Sequence, residues 1–211
     1  MTDLAIVLVA AGASTRMGFD KLWTDVGGQP LVAHALTAAR EAAPQQLVLV
    51  VAPDRTAQAR SLAPDADVVA GGPRRRDSVA NGVEVTSAAW IAIHDAARAL
   101  APAGLFAECL TAAQVTGAAV PVVPVVDTLK HVVDGHVRGT VPRSEYARVQ
   151  TPQVFRRDLL LRALASTDED VTDEATLVEQ LGIQVATFAG DERAFKVTRP
   201  LDLVLARALL A

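Results

Sequence analysis

The chain has 211 residues, of which 51% are hydrophobic but only 4% aromatic, and 24 acidic against 20 basic side chains give a formal net charge of -4. This composition suits one domain with a core of Ala, Val and Leu, and it excludes a disordered chain and argues against a general nucleic-acid or anionic-membrane binder. Because the sequence has no apolar run long enough to cross a bilayer and its first strand lacks a secretion signal, we expect a cytoplasmic protein.

Strands and helices alternate along most of the chain, which predicts a Rossmann-like α/β fold in a single domain, residues 1–211. Right-handed strand–helix–strand units give a mostly parallel sheet with helices on both faces. The predicted strands of the sheet are Leu4–Val9, Gln46–Ala52, Ala66–Ala70, Trp90–His94, Ala118–Val123 and Gln184–Phe188. The predicted helices are Leu31–Ala42, Asp54–Leu62, Arg75–Ser87, Pro102–Val115, Arg157–Ala165, Asp173–Leu181 and Leu201–Leu210.

The segment after the first predicted strand, AAGASTRMGFDK at residues 10–21, predicts a polyphosphate site. Its small residues expose backbone N–H groups, and Arg16 and Lys21 add two positive charges, a combination that binds anions. A Walker A loop is excluded because Gly18 is not followed by Lys and Ser or Thr, and a dinucleotide turn because Gly12 begins no G-x-G-x-x-G. The loop is typical of nucleotidyltransferases, and the alternative is a loop whose cations are only solvated.

A second glycine loop, GGPRRRDSV at residues 71–79, begins a predicted helix. Its two glycines let the backbone approach a ligand, and the helix N-terminus and the Ser78 hydroxyl supply donors. We therefore expect this loop to hold the nucleoside. Consecutive arginines resemble a nucleic-acid patch, but we interpret Arg74 and Arg76 as a solvated helix start.

A carboxylate and a guanidinium follow the strand that ends at His94. A carboxylate next to a triphosphate is repelled unless a divalent cation bridges them, so Asp95 is the predicted ligand of Mg²⁺. Arg98 suits a second phosphate group, and the alternative is an Asp95–Arg98 ion pair that only shapes the loop. Both glycine loops and Asp95 follow predicted strands, and in such sheets ligands bind beyond the carboxyl ends of the strands.

Two further residues with reactive side chains are interpreted as structural. A phosphate monoester dianion attacks without losing a proton, so His94 is not needed as a base. Cys109, the only cysteine, has no activating residue nearby in the sequence and is predicted to be a buried helix residue. The spacing of the remaining histidines does not suggest zinc.

The pattern changes between Val125 and Gln150. Two β-like runs, Thr128–Val133 and His136–Val141, flank Asp134-Gly135, which is a strong hairpin signal. We therefore predict a β-arm over residues 125–150. A two-stranded arm needs a surface to pack on, which is either a partner subunit in a homodimer or the arm's own domain.

Five further motifs occur in order along the chain. They are HDAAR at His94–Arg98, DT-x-K at Asp127–Lys130, TPQ-x-F at Thr151–Phe155, TDEA at Thr172–Ala175 and KVTRP-x-DL at Lys196–Leu203. With the two glycine loops, this ordered set closely resembles the 2-C-methyl-D-erythritol 4-phosphate cytidylyltransferase family of the non-mevalonate isoprenoid pathway. The resemblance covers nearly the whole chain.

The resemblance implies transfer of the cytidylyl group of CTP to methylerythritol phosphate by in-line, metal-assisted attack, in a homodimer. Arg16 and Lys21 match the cations that neutralise the triphosphate and stabilise the pentavalent transition state. Arg143 and Lys196 match the cations that orient the acceptor phosphate, and in this family the arm with Arg143 reaches into the neighbouring subunit. The remaining matches are Ala10, Ala11, Gly12, Gly72 and Ser78 around the cytidine, Asp95 near the metal and α-phosphate, and Arg98, Thr128, Thr151 and Thr172 around the acceptor.

Two positions depart from the family pattern, and three other functions remain open. Pro73 stands where an acidic or polar residue is common, and Ala99 where proline is common; both changes affect fine geometry but remove no charge that the chemistry requires. A ribitol 5-phosphate cytidylyltransferase shares the fold and most of the motifs. A molybdopterin nucleotidyltransferase shares the first loop, and a nucleotide-binding regulator without turnover is the alternative outside enzymes.

Overall fold

A sheet of eight strands organises the chain in the computed structural model, which describes residues 3–12 and 18–210. The strands are β1 (Leu4–Ala10), β2 (Asp25–Val26), β3 (Gln29–Pro30), β4 (Gln46–Val51), β5 (Asp67–Ala70), β6 (Trp90–Asp95), β7 (Ala118–Pro124), β8 (Leu129–Val133), β9 (His136–Val141), β10 (Ala147–Val149), β11 (Gln153–Arg156) and β12 (Ala186–Ala189). The helices are α1 (Leu31–Glu41), α2 (Thr56–Leu62), α3 (Arg75–Glu84), α4 (Gly104–Thr116), α5 (Arg157–Ser166), α6 (Glu174–Gln180) and α7 (Pro200–Leu210).

The sheet is mostly parallel, as the alternation of strands and helices predicts. Its strand order is β10-β7-β11-β6-β1-β4-β5, and β12 pairs with β7 along the edge that β10 also uses. Strand β1 lies in the middle and pairs in parallel with both β4 and β6. Among the described strands of this sheet, only β10 and β11 run antiparallel to their neighbours. The predicted α/β fold is confirmed.

Both faces of the sheet are buried under helices, which explains the continuous apolar runs of its strands. Alternate residues of β1 point to opposite faces, so Ile6 joins one core cluster and Val7 the other. The first cluster includes residues of α1, α4 and α7, and the second includes residues of α3, α5 and α6. Among the described residues, no helix combines the length and apolarity needed to cross a bilayer.

The sequence patterns missed the short strands β2, β3, β10 and β11. Strand β11 has only four residues, too few for a recognisable alternation, and it lies between β6 and β7 although it follows both in the chain. Its position depends on long-range pairing, in which Gln153 faces Ile93 and Val154 faces Ala119. The insertion of β11 brings the TPQ segment next to the HDAAR strand.

The predicted hairpin arm is confirmed, but its predicted range, residues 125–150, is too long, because Ala147–Val149 form β10 and pair with β7 in the main sheet. Within the described part of the chain, strands β8 and β9 pair only with each other. Asp134 and Gly135 both have positive φ angles, 50° and 74°, as a type I′ turn requires. Most of the arm is exposed, including Val132 at 54% and Val137 at 61%. The hairpin is therefore not folded back onto its own domain.

Candidate active site

Three segments meet at the carboxyl edge of the central strands. Val9 at the end of β1 is in register with Asp95 at the end of β6, and the Ala96 N–H donates to the Val9 carbonyl at 3.0 Å. On the other side of β1, the Gly71 N–H donates to the carbonyl of Val51 at 2.8 Å. The segments that follow β1, β5 and β6 therefore begin at a common edge, as the strand-end argument predicts.

The two glycine loops touch each other. A Cβ atom added to Gly71 would lie 2.4 Å from the Cβ of Ala11 and 2.8 Å from the Ser78 hydroxyl oxygen. The Gly72 N–H donates to the same hydroxyl oxygen at 3.1 Å, and Ser78 is 2% exposed. The structure thus brings the predicted cytidine positions Ala11, Gly72 and Ser78 together, and the Ser78 side chain supports the loop itself.

The rest of the first loop is only partly covered by the structure. Ala10 is the last residue of β1, and Gly12 is exposed just beyond it. The predicted catalytic residue Arg16 lies outside the described residues. Lys21 is buried at the start of a short 3₁₀ turn, Lys21–Trp23, which follows the loop.

Asp95 is buried, and its carboxylate binds two cations. Its Oδ1 lies 3.2 Å from Nη2 of Arg75, and its Oδ2 lies 2.8 Å from Nζ of Lys196. Burial alone would raise the pKa of Asp95, but the positive charges of Arg75, Lys196 and Arg98 outweigh it and hold the pKa well below the usual range. The carboxylate is therefore ionised, as a metal ligand must be.

Asp95 is suited to bind Mg²⁺ together with substrate phosphates rather than as part of a cluster of protein ligands. The described part of the chain contains no group of three or more His, Cys, Asp or Glu side chains that could hold a metal ion by itself. Mg²⁺ in nucleotide enzymes is commonly held by one or two carboxylates together with substrate phosphates and water. A single ionised carboxylate at the edge where both glycine loops begin matches that pattern.

The KVTRP segment packs along the HDAAR loop. The Val197 N–H donates to the carbonyl of Ala97 at 2.9 Å, and Arg98 donates to the carbonyls of Ala194 at 2.7 Å and Val149 at 3.2 Å. Arg98 thus donates its guanidinium N–H groups to loop carbonyls, and among the described residues no direct ion pair joins it to Asp95. Its contact with a substrate phosphate stays a prediction.

A cationic groove of about 310 Å³ lies beside Asp95. Its charged lining residues are Arg98, Arg148, Lys196, Arg199, Glu192 and Asp202. Arg148 is bound to Glu192 at 3.0 Å, whereas Lys196 connects the groove to the Asp95 carboxylate. The excess of positive charge makes this groove suitable for a phosphate group.

Thr151 and His94 form a hydrogen-bonded pair that contacts the backbone of Asp95. The Thr151 hydroxyl accepts the backbone N–H of Asp95 at 3.1 Å and pairs with Nδ1 of His94 at 2.9 Å. Burial lowers the pKa of His94 to about 4, so its ring is neutral, and it contacts Phe106 edge-on. These contacts agree with a structural His94. The Thr151 hydroxyl holds the Asp95 backbone, and its predicted role near the acceptor stays a prediction.

Three other predicted acceptor residues do not join the groove within one chain. Thr128 is exposed at the start of the arm, and Thr172 is exposed before α6. Arg143 is exposed on the arm, donates to the carbonyl of Val126, and lines a separate cleft of about 720 Å³. Among the residues that the structure describes, no ion pair or hydrogen bond links Arg143 to Lys196.

Sequence reasoning missed Arg75 and Glu174. Glu174 is fully buried, and its Oε1 lies 2.6 Å from Nη1 of Arg75. Burial raises the pKa of Glu174 although Arg75 opposes this effect. A usable signal was present, because Arg75 lies three residues before Ser78 and shares its helix face.

The interpretation of the neighbouring arginines is wrong for Arg76. Arg76 is only 7% exposed, and its guanidinium donates to the carbonyls of Leu164 and Thr167 at the end of α5. Arg74 lies nearer the surface and pairs with Asp77 and with Asp168, each at 2.7 Å.

The interpretation of Cys109 as a buried helix residue is confirmed. Cys109 lies on α4 and is fully buried. Burial raises the pKa of its thiol to about 12. A thiol in this environment stays protonated and is a poor nucleophile.

Comparison with known proteins identifies the family of this chain. A family model for 2-C-methyl-D-erythritol 4-phosphate cytidylyltransferase matches residues 4–211. A protein of that name from Rhodococcus jostii (strain RHA1) is 44% identical over 208 residues, which cover 95% of this chain and 92% of the relative. One from Frankia casuarinae is 43% identical, covering 99% of this chain and 81% of the relative. The crystal structure of the enzyme from Thermus thermophilus matches with a TM-score of 0.84 and 38% identity over 96% of each chain. The chain belongs to the 2-C-methyl-D-erythritol 4-phosphate cytidylyltransferase family.

Proposed function

We propose that the protein transfers the cytidylyl group of CTP to 2-C-methyl-D-erythritol 4-phosphate, giving 4-diphosphocytidyl-2-C-methyl-D-erythritol and pyrophosphate. The observation that carries this proposal is the 2.8 Å contact between the Asp95 carboxylate and Nζ of Lys196, which lies between the glycine loops and the cationic groove. We also propose a cytoplasmic location, as the sequence leads us to expect.

The main obstacle to this reaction is the mutual repulsion of two polyanions. An oxygen of the acceptor phosphate attacks the α-phosphorus of CTP in line, a new P–O bond forms, and the bond to the leaving pyrophosphate breaks. The phosphate dianion needs no general base, and no covalent enzyme intermediate is required. Catalysis then consists of positioning and electrostatic stabilisation by preorganised cations.

Different segments serve the two substrates. The glycine loops supply backbone donors for cytidine around Gly72, and Lys21, together with Arg16 from the sequence-based prediction, neutralises the triphosphate. Lys196 and Arg98 line the groove that receives the acceptor phosphate. Lys196 is 37% exposed at its side chain, so it can turn from Asp95 towards an incoming phosphate.

We assign Asp95 as the protein ligand of Mg²⁺, with the remaining positions left to phosphate oxygens and water. When bound, Mg²⁺ neutralises triphosphate charge and polarises the α-phosphate. Asp95 contributes by staying ionised at the edge where both loops begin, because Arg75 and Lys196 hold its pKa low.

A homodimer completes the proposed site. The arm exposes apolar side chains such as Val132 and Val137, and its Arg143 lines a cleft separate from the groove of its own chain. We therefore propose that Arg143 acts in the partner's groove. Mixing inactive Arg143→Ala and Lys21→Ala proteins tests this, because mixed dimers contain one intact site, and random exchange restores about a quarter of the wild-type sites. Failure to regain activity, with exchange demonstrated, would exclude the shared site.

Phosphorus NMR tests the reaction itself. CTP and Mg²⁺ are incubated with methylerythritol phosphate, with ribitol 5-phosphate, or with no acceptor. We expect a new diphosphate ester and an equal amount of pyrophosphate only with methylerythritol phosphate. Turnover of ribitol 5-phosphate alone would overturn the substrate, and no pyrophosphate with any acceptor would favour a regulator without turnover.

A further inference from the structure

We propose that Arg75, supported by Glu174, is a positioning residue that keeps one oxygen of Asp95 fixed while the other exchanges its partner during the reaction. This inference rests on the proposed function, because the exchange involves Lys196 and the substrates. In it, Oδ1 of Asp95 remains on Arg75, and Oδ2 is released when Lys196 turns to the acceptor phosphate.

Four charged side chains form a continuous relay. Glu174 Oε1 lies 2.6 Å from Nη1 of Arg75, Arg75 Nη2 lies 3.2 Å from Oδ1 of Asp95, and Asp95 Oδ2 lies 2.8 Å from Nζ of Lys196. The two ends of this relay differ most in side-chain exposure, which is 0% at Glu174 and 37% at Lys196. The two residues between them, Arg75 at 23% and Asp95 at 11%, are mostly buried. The relay is therefore anchored at Glu174 and free to move at Lys196.

Arg75 makes the departure of Lys196 possible. Removing the only partner of a buried carboxylate is strongly unfavourable, because an uncompensated charge is left behind. With Arg75 in place, Asp95 keeps a counter-charge after Lys196 leaves. The planar guanidinium contacts two carboxylates through two different nitrogens, which a lysine ammonium cannot reproduce in the same geometry.

The contribution of the relay to folding stability does not explain why these four charged side chains are present. Among the described residues, Nε of Arg75 and Oε2 of Glu174 have no hydrogen-bond partner, and both atoms are buried. Unsatisfied buried polar atoms destabilise a fold, and buried ion pairs are often no more stabilising than well-packed apolar residues. A functional requirement at Asp95 accounts for their presence.

The relay also connects the segments around the two substrates. Arg75, within the second glycine loop, is the first residue of α3, and Glu174 is the first residue of α6, within the TDEA motif. Asp95 and Lys196 come from the HDAAR and KVTRP motifs. Loss of Arg75 should therefore disturb the alignment of both substrates more than the binding of either one.

Steady-state kinetics of Arg75→Gln and Arg75→Lys test this inference. We expect Arg75→Gln to lower kcat by about a hundredfold, the scale of a misplacement of about 1 Å, while KM for each substrate changes less than about threefold. Arg75→Lys keeps the charge and should recover part of kcat, and Glu174→Gln should lose severalfold. Methylguanidinium should partly restore Arg75→Gln without affecting the wild type.

The control is Arg40→Gln on α1, whose guanidinium binds the exposed carboxylate of Asp65 at 2.5 Å and contacts no residue of the proposed site among those described. Its kcat should stay within about twofold of the wild type, as expected for an exposed ion pair. If folded Arg75→Gln and Arg75→Lys proteins keep the wild-type kcat, or lose only stability, the inference is overturned. If Arg75→Gln does not fold, the kcat values of Arg75→Lys and Glu174→Gln relative to the wild type test the inference instead.

A crystal structure of Arg75→Gln separates this inference from the proposed function. Wild-type turnover in the same assay tests the function. If the wild type makes no product, the crystal structure of Arg75→Gln still tests the positioning role of Arg75. In that variant we expect the Asp95 carboxylate to rotate, so that Oδ1 leaves the position it has beside Arg75 in the wild type. An unchanged Asp95 carboxylate would overturn the positioning role.

Discussion

Replacing Gly71 by alanine tests whether the two glycine loops form one nucleotide surface. The added Cβ would lie 2.4 Å from the Cβ of Ala11 and 2.8 Å from the Ser78 hydroxyl oxygen. Since carbon atoms in contact lie about 3.5–4.0 Å apart, one loop must move by more than about 1 Å. Ala11 has no rotatable side chain, and Ser78 already holds Gly72, so the backbone must shift.

A displacement of that size should lower kcat/KM for CTP by about a hundredfold. Overpacking should also reduce the free energy of unfolding by about 1–3 kcal/mol. The assay follows initial rates of pyrophosphate release at varied CTP, with denaturant unfolding of the same samples in parallel.

Gly104→Ala is the matched control. It adds the same methyl group at the start of α4, where the nearest heavy atom is Oε1 of Glu108 at 3.9 Å. We expect unchanged kcat/KM and unchanged or slightly higher stability. A Gly71→Ala protein with the wild-type kcat/KM for CTP would refute the argument that the loops share one surface.

Three further predictions concern a cation, a buried histidine and a buried arginine. Lys21→Ala should lower kcat by about a hundredfold, the usual loss for one transition-state donor. The control Arg60→Ala, at an exposed position, should keep the wild-type kcat. A Lys21→Ala protein with the wild-type kcat would show that Lys21 has no catalytic role. His94 has a folded pKa of about 4, below its unfolded value of about 6.5, so the unfolded chain binds more protons between these values. The free energy of unfolding should therefore fall by up to about 3 kcal/mol as pH drops through this range. In denaturant titrations at several pH values, the free energy of unfolding of His94→Gln should depend less on pH than that of the wild type. An equal pH dependence would contradict the low pKa of His94. Arg76→Ala removes donors to the end of α5 and should cost about 2 kcal/mol or more of stability with little change in kcat; a wild-type unfolding midpoint would contradict this.

The parallel part of the fold was predictable because its strands are buried on both faces. Strands β1 and β4 are almost continuous apolar segments, and helices α1 and α2 flank β4 in the chain. This pattern specifies the sheet without long-range information. Strand β11 was not predictable, because four residues carry no periodicity and the strand lies between two that precede it in the chain. The arm was predictable from Asp134-Gly135, whose positive φ angles the turn requires.

The site was predictable as far as strand ends determine it. Asp95 and the glycine loops follow parallel strands and therefore share an edge, whereas Lys196 was assigned through the family resemblance alone. The three consecutive arginines show where the prediction stops. Side chains one residue apart point about 100° away from each other on a helix, so Arg75 reaches Asp95 while Arg76 turns into the protein.

A crystal structure with bound 4-diphosphocytidyl-2-C-methyl-D-erythritol would test the central claim most directly, because the product spans both halves of the site. We expect the cytidine at the glycine loops near Gly72, the diphosphate facing Asp95, and the methylerythritol end in the groove with Arg98 and Lys196. Binding at the opposite edge of the sheet, or with the two ends exchanged, would contradict the account.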